Sequence, residues 1–146
     1  MSRSSTTVPP SLPDTPFAYC VLRVVPDVER AEFLNCGVVL FARQAGFLGT
    51  RIALDRERLA ALSPGCDPEP VARHLEALER VAAGDPAGGR VAGMEPSERF
   101  NWIAAPASTV VQASPVHTGV TGDPAAKLDS LFARLVRMRG QSPHSH

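Results

Sequence analysis

Apolar positions in the first half of the chain alternate in a way that predicts three β-strands. Residues 17–25 are rich in β-forming side chains and carry apolar residues on both faces, which is typical of a strand in the middle of a sheet. Two further runs, 36–42 and 47–54, are separated by a four-residue connection that ends in Gly46. Because glycine adopts positive φ without strain, this spacing predicts a β-hairpin. The polar residues 27–35 are expected to connect the first strand to the second.

Capping residues predict two helices after the hairpin. Asp55 stands before a short helical pattern over 56–62, and Asp67 stands before a longer one that has Pro68 at its first position and stops at Gly84. Apolar residues recur at helical spacing in the longer segment, so one face of it should pack on the core. The residues of that face are Val71, Leu75, Leu78 and Ala82.

Three further elements are predicted toward the C-terminus. A short helix over 97–103 contains Trp102 and Phe100, and both aromatic residues are expected in the core. Residues 108–113 predict one more strand. Asp123 caps the final helix, whose apolar stripe is the most regular in the chain. This stripe consists of Leu128, Leu131, Phe132, Leu135 and Val136.

Together these elements predict a single α+β domain over residues 17–139. Its antiparallel sheet should have about four strands with helices packed on it. Residues 1–16 are rich in proline, serine and threonine, and 140–146 have a similar character. Such segments bury too little apolar surface to offset the entropy of ordering, so both are predicted to be disordered tails.

Charge composition narrows the classes of partner. The chain has 15 basic and 15 acidic residues, and its formal net charge is zero. The basic residues are interspersed with acidic ones and form no run that would neutralise a row of phosphates. We therefore expect no nucleic-acid partner and no anionic membrane surface.

The cysteines and the hydropathy pattern bear on metal binding and location. Cys20 and Cys36 lie in apolar segments, Cys66 stands apart, and no Cys-x-x-Cys pair is present. The sequence therefore predicts no metal site, and it contains no motif for a cofactor. No apolar run approaches the roughly 20 residues that a membrane-spanning helix needs. We expect a cytoplasmic protein.

The first candidate binding site is the polar connection between the first two strands. Glu29, Arg30, Glu32 and Asn35 are packed between segments that should be buried, and Arg23 on the preceding strand is within reach. A glutamate and an arginine beside a buried edge can hold an anion or orient a substrate. The alternative is a solvated turn in which Asn35 bonds to its own backbone.

The second candidate is the segment from the fourth strand to the last helix. Gln112, Ser114 and His117 belong to the densest group of amide, hydroxyl and imidazole side chains in the chain. His117 precedes a helix N-terminus, where loops often place ligand-facing groups, and it is a candidate general base or anion contact. The alternative is a loop histidine that is only hydrogen-bonded.

Three ordered segments resemble a bacterial family known as domain of unknown function 3037. They are Tyr19-Cys-Val-Leu-Arg-Val-Val-Pro26, Arg30-Ala-Glu-Phe-Leu-Asn-Cys-Gly-Val-Val-Leu40 and Ser114-Pro-Val-His-Thr-Gly119. The resemblance covers about residues 17–137. It implies a small cytoplasmic protein that is often encoded beside a HipA-like kinase-fold protein, and thus a shared pathway or complex.

The resemblance carries over to polar positions in both candidate segments without assigning them a role. Many family members have an arginine just before the Ser-Thr pair, where this chain has Ala107. If that arginine binds a ligand in the relatives, the site is lost or altered here. The matching positions are Arg30, Glu32, Asn35, Gly37, Ser108, Thr109, Gln112, Ser114 and His117.

Two functional hypotheses follow, and the sequence leaves open whether the protein is an enzyme. The first is a non-catalytic accessory or interaction module with a HipA-like kinase-fold partner. The second is a small enzyme or ligand-binding domain that combines the 30–35 segment with 114–117 and uses His117 as an acid or base. The second requires the two segments to meet in space. A homodimer closed through a sheet edge is a third possibility.

Overall fold

The fold is that of a computed structural model, which describes residues 14–27, 32–107 and 109–137. The predicted C-terminal tail and residues 1–13 of the predicted N-terminal tail lie outside these ranges. Thr15 and Pro16, expected at the end of that tail, instead begin the first strand. They belong to the sheet because they pair with Thr121 and Val120 of a distant strand.

The first two strands form the centre of the sheet. Strand β1 spans Thr15–Asp27 and strand β2 spans Glu32–Ala42, and they pair antiparallel. The central position predicted for the first strand is confirmed, because it has neighbours on both sides. Strand β2 begins earlier than predicted: Glu32–Asn35, expected in a connection, are strand residues paired with β1. The rest of that connection, residues 28–31, lies outside the described ranges.

The predicted hairpin is confirmed. A 3₁₀ turn over Arg43–Ala45 leads to Gly46, whose φ of 63° lies in the left-handed region that glycine adopts without strain. Strand β3 follows over Phe47–Ile52 and pairs antiparallel with β2. It forms one edge of the sheet.

Two short strands occupy the other side of β1. Strand β4 (Val111–Ala113) pairs with the second half of β1, and strand β5 (His117–Thr121) pairs with its first half. The sheet thus has five strands where about four were predicted. The additional strand is β5, a segment that was expected to be a loop before the last helix.

Three helices cover one face of the sheet. They are α1 (Arg56–Leu62), α2 (Pro68–Ala83) and α3 (Pro96–Ala104). Their buried side chains meet one face of β1 and β2 in a first core. Residues of this core include Cys20, Leu22, Val24, Leu59, Leu75, Leu78, Phe100 and Ile103.

The last helix covers the opposite face. Helix α4 (Pro124–Phe132) continues into one wider π-type turn over Ala133–Arg137 and packs on β2 and β3. Its predicted stripe is confirmed, and together with Phe17, Val38, Leu40 and Ala42 it forms a second core. The molecule is therefore an α+β domain with helices on both faces of an antiparallel sheet, as the predicted fold class requires.

Candidate functional site

Three of the predicted site residues lie in one row across the sheet. Arg23 of β1 stands opposite Asn35 of β2 on one side and opposite Gln112 of β4 on the other. The two candidate segments are far apart in sequence, and the antiparallel register brings them to the two sides of Arg23. The guanidinium of Arg23 lies 4.3 Å from the centre of the Phe33 ring, in cation–π geometry.

Asn35 connects the sheet to the end of the last helix. Its Nδ2 donates a hydrogen bond of 3.0 Å to the carbonyl oxygen of Leu135. Its Oδ1 and the Nε of Arg23 are buried without a partner among the described residues. A depression of about 370 Å³ borders Asn35 and includes Arg58 and Arg137. The hydrogen bond from Asn35 to Leu135 is structural, since it ties the π-type turn to β2.

Ser114 joins the two short strands and is buried. Its backbone N–H donates to the carbonyl of Val21 at 2.8 Å, and its Oγ accepts from the N–H of Val21 at 2.9 Å. The same hydroxyl donates to the carbonyl of Pro115 at 2.9 Å. The side chain thus supplies the acceptor that a backbone carbonyl provides elsewhere in the ladder, at the point where β4 ends and before β5 begins. These contacts give Ser114 a structural role.

Gln112 and His117 lie on the two short strands beside β1, where Gln112 is half-buried and His117 is exposed. The Nε2 of Gln112 donates to the carbonyl of Thr109 at 2.9 Å, within its own segment. The imidazole of His117 lies against the ring of Tyr19, with ring centres 5.2 Å apart. His117 is exposed and belongs to a strand, whereas the sequence placed it in a loop.

Glu32 and His117 are held at opposite ends of β1. Glu32 pairs with Asp27, and His117 pairs with Tyr19. Eight positions of a strand correspond to roughly 26 Å, far beyond the reach of a hydrogen bond or one bridging water. A single acid–base site therefore does not combine these two residues. Arg30, the remaining candidate, lies outside the described ranges, and the binding roles of all these residues stay predictions.

Trp102 was predicted in the core, and that prediction is wrong. Its side chain is 48% exposed, whereas Phe100 and Ile103 of the same helix are buried. Residues 100 and 103 are one helical turn apart and share the core face, so residue 102 points away from it. Helical periodicity distinguishes Trp102 from Phe100 and Ile103. The prediction followed the general preference of aromatic residues for the core instead.

Trp102 borders a groove between α2, α3 and β4. The groove has a volume of about 270 Å³ and is lined mainly by apolar groups. His74 is the one titratable residue among the described residues of the lining. Ala107, where the resemblance implies an arginine, belongs to the lining as well. The other lining residues are Leu22, Leu78, Ile103, Ala105, Pro106, Thr109, Val111, Gln112 and Ala113.

Neither a metal-binding cluster nor a membrane-spanning helix occurs among the described residues. Over these ranges no three histidine, cysteine, aspartate or glutamate residues gather in a way that could hold a metal ion. None of the helices there is both long and apolar enough to cross a membrane.

The cysteines are free thiols with different accessibility. Cys20 and Cys36 are buried in the first core, while Cys66 is half-buried. Burial raises the pKa of the Cys20 thiol, and of the Cys36 thiol, from 9.0 to about 12. Because the thiolate is the nucleophile, both groups are unreactive in the folded protein.

We expect a native protein to show one rapidly reacting thiol with a disulfide reagent such as DTNB, and three after unfolding. A Cys66→Ser variant should lose the rapid phase, and rapid reaction of two thiols in the native state would contradict the assignment.

The pKa values of Cys20 and Cys36 in the folded protein lie above that of the unfolded chain, so the stability held below pH 9 should be lost progressively as the pH rises toward 12. Urea unfolding across this alkaline range measures the loss.

Comparison with known proteins places the chain in a family without an assigned activity. No curated protein and no solved structure matches it. Residues 19–136 match the model of the family described as Protein of unknown function (DUF3037). The match runs from β1 to the π-type turn after α4, and so spans every helix and all five strands in whole or in large part. The chain belongs to the DUF3037 family.

Proposed function

We propose that this chain is a non-catalytic accessory protein of the bacterial cytoplasm that binds another protein through the groove beside Trp102. The exposure of this single tryptophan carries the proposal. Tryptophan is enriched among the few residues that dominate binding energy at protein interfaces, because it buries a large surface at little conformational cost. Here it borders a groove and leaves nearly half of its surface open.

The dimensions of the groove favour a protein partner over a cofactor. Sites for small molecules and cofactors usually enclose about 300–1,000 Å³. A groove of about 270 Å³ lies near the lower end of that range, and its mainly apolar lining suits one or two apolar side chains. Among the described residues, the lining has no acidic, lysine or arginine side chain that would orient a charged ligand.

The polar candidates also support binding over catalysis. Ser114 is engaged in the ladder beside β1, and Asn35 holds the end of the last helix. His117 and Glu32, the acid–base pair that a small enzyme would combine, lie at opposite ends of a strand. The partner class is the one that the family resemblance implies, a HipA-like kinase-fold protein, and its contact should include an apolar side chain that enters the groove.

The single tryptophan is a built-in reporter for this interaction. Titration with the HipA-like protein encoded in the same genome should shift Trp102 emission to shorter wavelength, because binding removes the indole from water. A Trp102→Ala variant, followed by calorimetry, should bind about 30-fold or more weakly, corresponding to at least about 2 kcal/mol for an interface hot spot. Ala105→Lys, which keeps the indole but places a charge in the lining of the groove, should weaken binding as well.

Met94→Ala is the matched control. Met94 is also an exposed apolar residue beside α3 but lies at its other end, outside the groove. It should leave the affinity unchanged, and all three variants should retain the circular dichroism spectrum of the parent. Absence of binding to the kinase-fold protein, or equal binding by the parent and Trp102→Ala, would refute the proposal.

A further inference from the structure

The outer edge of β5 has unusual chemistry for a free sheet edge. Strand β5 pairs with β1 on one side, and the described residues provide no strand on its other side. Free edges in natural proteins are usually protected by charged side chains, proline or bulges. The five residues His117–Thr121 include no aspartate, glutamate, lysine, arginine or proline, and their register with β1 is regular.

The direction of the β5 backbone groups follows from the hydrogen bonds of β1. Val21 and Val25 direct their backbone bonds toward Ser114 and Val110, on the side of β4 and β5. Alternate residues of a strand point their N–H and C=O groups to the same side, so Phe17 and Tyr19 also bond toward β5. Their partners, Gly119 and His117, are therefore the inward-bonding residues.

Thr118 and Val120 consequently point their N–H and C=O groups away from the sheet. The position of Pro16 supports this assignment independently. Pro16 pairs with Val120 and has no N–H to donate, as expected for a pair that is not hydrogen-bonded. At this edge, Thr118 and Val120 thus each present one backbone N–H donor and one C=O acceptor to a further strand.

The side chains beside these groups are apolar or small. Val120 is 61% exposed, the largest exposure among the large hydrophobic residues of the described chain. It borders a shallow depression of about 550 Å³ on the face of the sheet that carries the first core, together with Ala18, Phe41, Thr118 and one charged residue, Arg43. On the opposite side, the Phe17 ring lies over Gly119 so closely that an added Cβ would approach within 2.8 Å of the ring.

We infer that β5 pairs antiparallel with β5 of a second copy, which makes one continuous sheet across a two-fold homodimer. With the axis beside Gly119, Thr118 of one protomer forms a hydrogen-bonded pair with Val120 of its partner, and the reverse pair forms by symmetry. Both residues are β-branched, and such cross-strand pairs stabilise sheets.

Charge favours a second copy of this chain as the occupant of the edge. In a two-fold strand pair the edge of one copy faces the same edge of the other, so an edge with charges of one sign would repel itself. The β5 edge has no lysine, arginine, aspartate or glutamate, whereas the β3 edge carries Arg51 in an ion pair with Asp129.

This inference is independent of the proposed function, because the groove at Trp102 and the β5 edge are lined by different residues. Light scattering on the full chain should give twice the monomer mass of 15.5 kDa, with dissociation on dilution. In the dimer, amide exchange at Thr118 and Val120 should be slower than at low concentration, since these N–H groups become bonded.

Two variants distinguish edge pairing from other modes of association. Val120→Lys places a charge in the paired edge and should weaken the dimer about tenfold or more. Thr118→Pro removes only an outward N–H, which an edge strand tolerates, and should also favour the monomer. Val110→Lys is the control, because Val110 is similarly exposed, at 42%, but lies outside β5.

Circular dichroism of both β5 variants establishes that they are folded. A parent chain that stays monomeric at its highest soluble concentration overturns the inference. So does a dimer that persists in both folded variants, since it would use another surface. Trp102→Ala should leave the dimer intact, so failure of the proposed partner interaction does not affect this result.

Discussion

Phe132→Ala should lower the free energy of unfolding by about 3–5 kcal/mol. Phe132 is 4% exposed and belongs to the second core, between the last helix and the sheet. The substitution removes most of a ring and leaves a cavity among packed neighbours that relax only in part. Because natural domains are stable by about 5–15 kcal/mol in total, this loss is a large fraction of the whole. Urea unfolding followed by circular dichroism measures it.

Phe33→Ala is the matched control for that experiment. Each of the two phenylalanines lies beneath an arginine guanidinium: Phe33 beneath Arg23 at 4.3 Å, and Phe132 beneath Arg51 at 4.9 Å. Phe33 is 41% exposed, so its removal should cost only about 1 kcal/mol or less. Equal losses in the two variants would show that the last helix does not depend on the second core.

The role of Phe132 was predictable because it depends on local physics. Its stripe repeats at the helical period, and the helix start is marked by Asp123, whose carboxylate accepts from the N–H of Ala126. Asp55 and Asp67 cap their helices in the same way. The carboxylate of Asp55 accepts a hydrogen bond from the backbone N–H of Arg58, and that of Asp67 accepts one from the backbone N–H of Glu69. Each of these signals lies within a few residues, so the sequence alone was sufficient to find the helices.

Strand β5 was missed because its partner is distant in the chain. Tyr19 and His117 are paired across almost a hundred residues, and nothing local to His117–Thr121 announces that pairing. The segment is short, contains Gly119 and follows Pro115, a composition that is typical of a loop. The early start of β2 was missed for the same reason, since Glu32 belongs to the strand because it pairs with Asp27 of β1.

The candidate site was predicted by residue type, and residue type alone does not separate a ligand contact from a structural hydrogen bond. The register places Arg23, Asn35 and Gln112 in one row, and their roles in binding stay predictions. It passed over Trp102, which the fold leaves exposed beside a groove. A buried polar residue such as Ser114 must satisfy its hydrogen bonds within the protein, and this need arises only once tertiary structure exists.

Ser114→Ala should lower the free energy of unfolding by about 1–3 kcal/mol, because it removes the acceptor of a buried N–H. Ser114 is 3% exposed and Val21 is 6% exposed, so water does not readily replace the lost hydroxyl. The unpaired N–H of Val21 stands in the middle of the central strand, at the junction where β4 gives way to β5. Urea unfolding gives the change in stability, and faster hydrogen exchange of the Val21 amide would locate it.

Thr109→Ala is the matched control for Ser114, since it removes a hydroxyl that also bonds to the backbone. The Oγ1 of Thr109 donates to the carbonyl of Val111 at 2.6 Å, but Thr109 is exposed and water can take its place. Its loss should change stability by no more than about 0.5 kcal/mol. If Ser114 were instead a ligand contact, its alanine variant would be as stable as the Thr109 control, and the structural role assigned to it would be wrong.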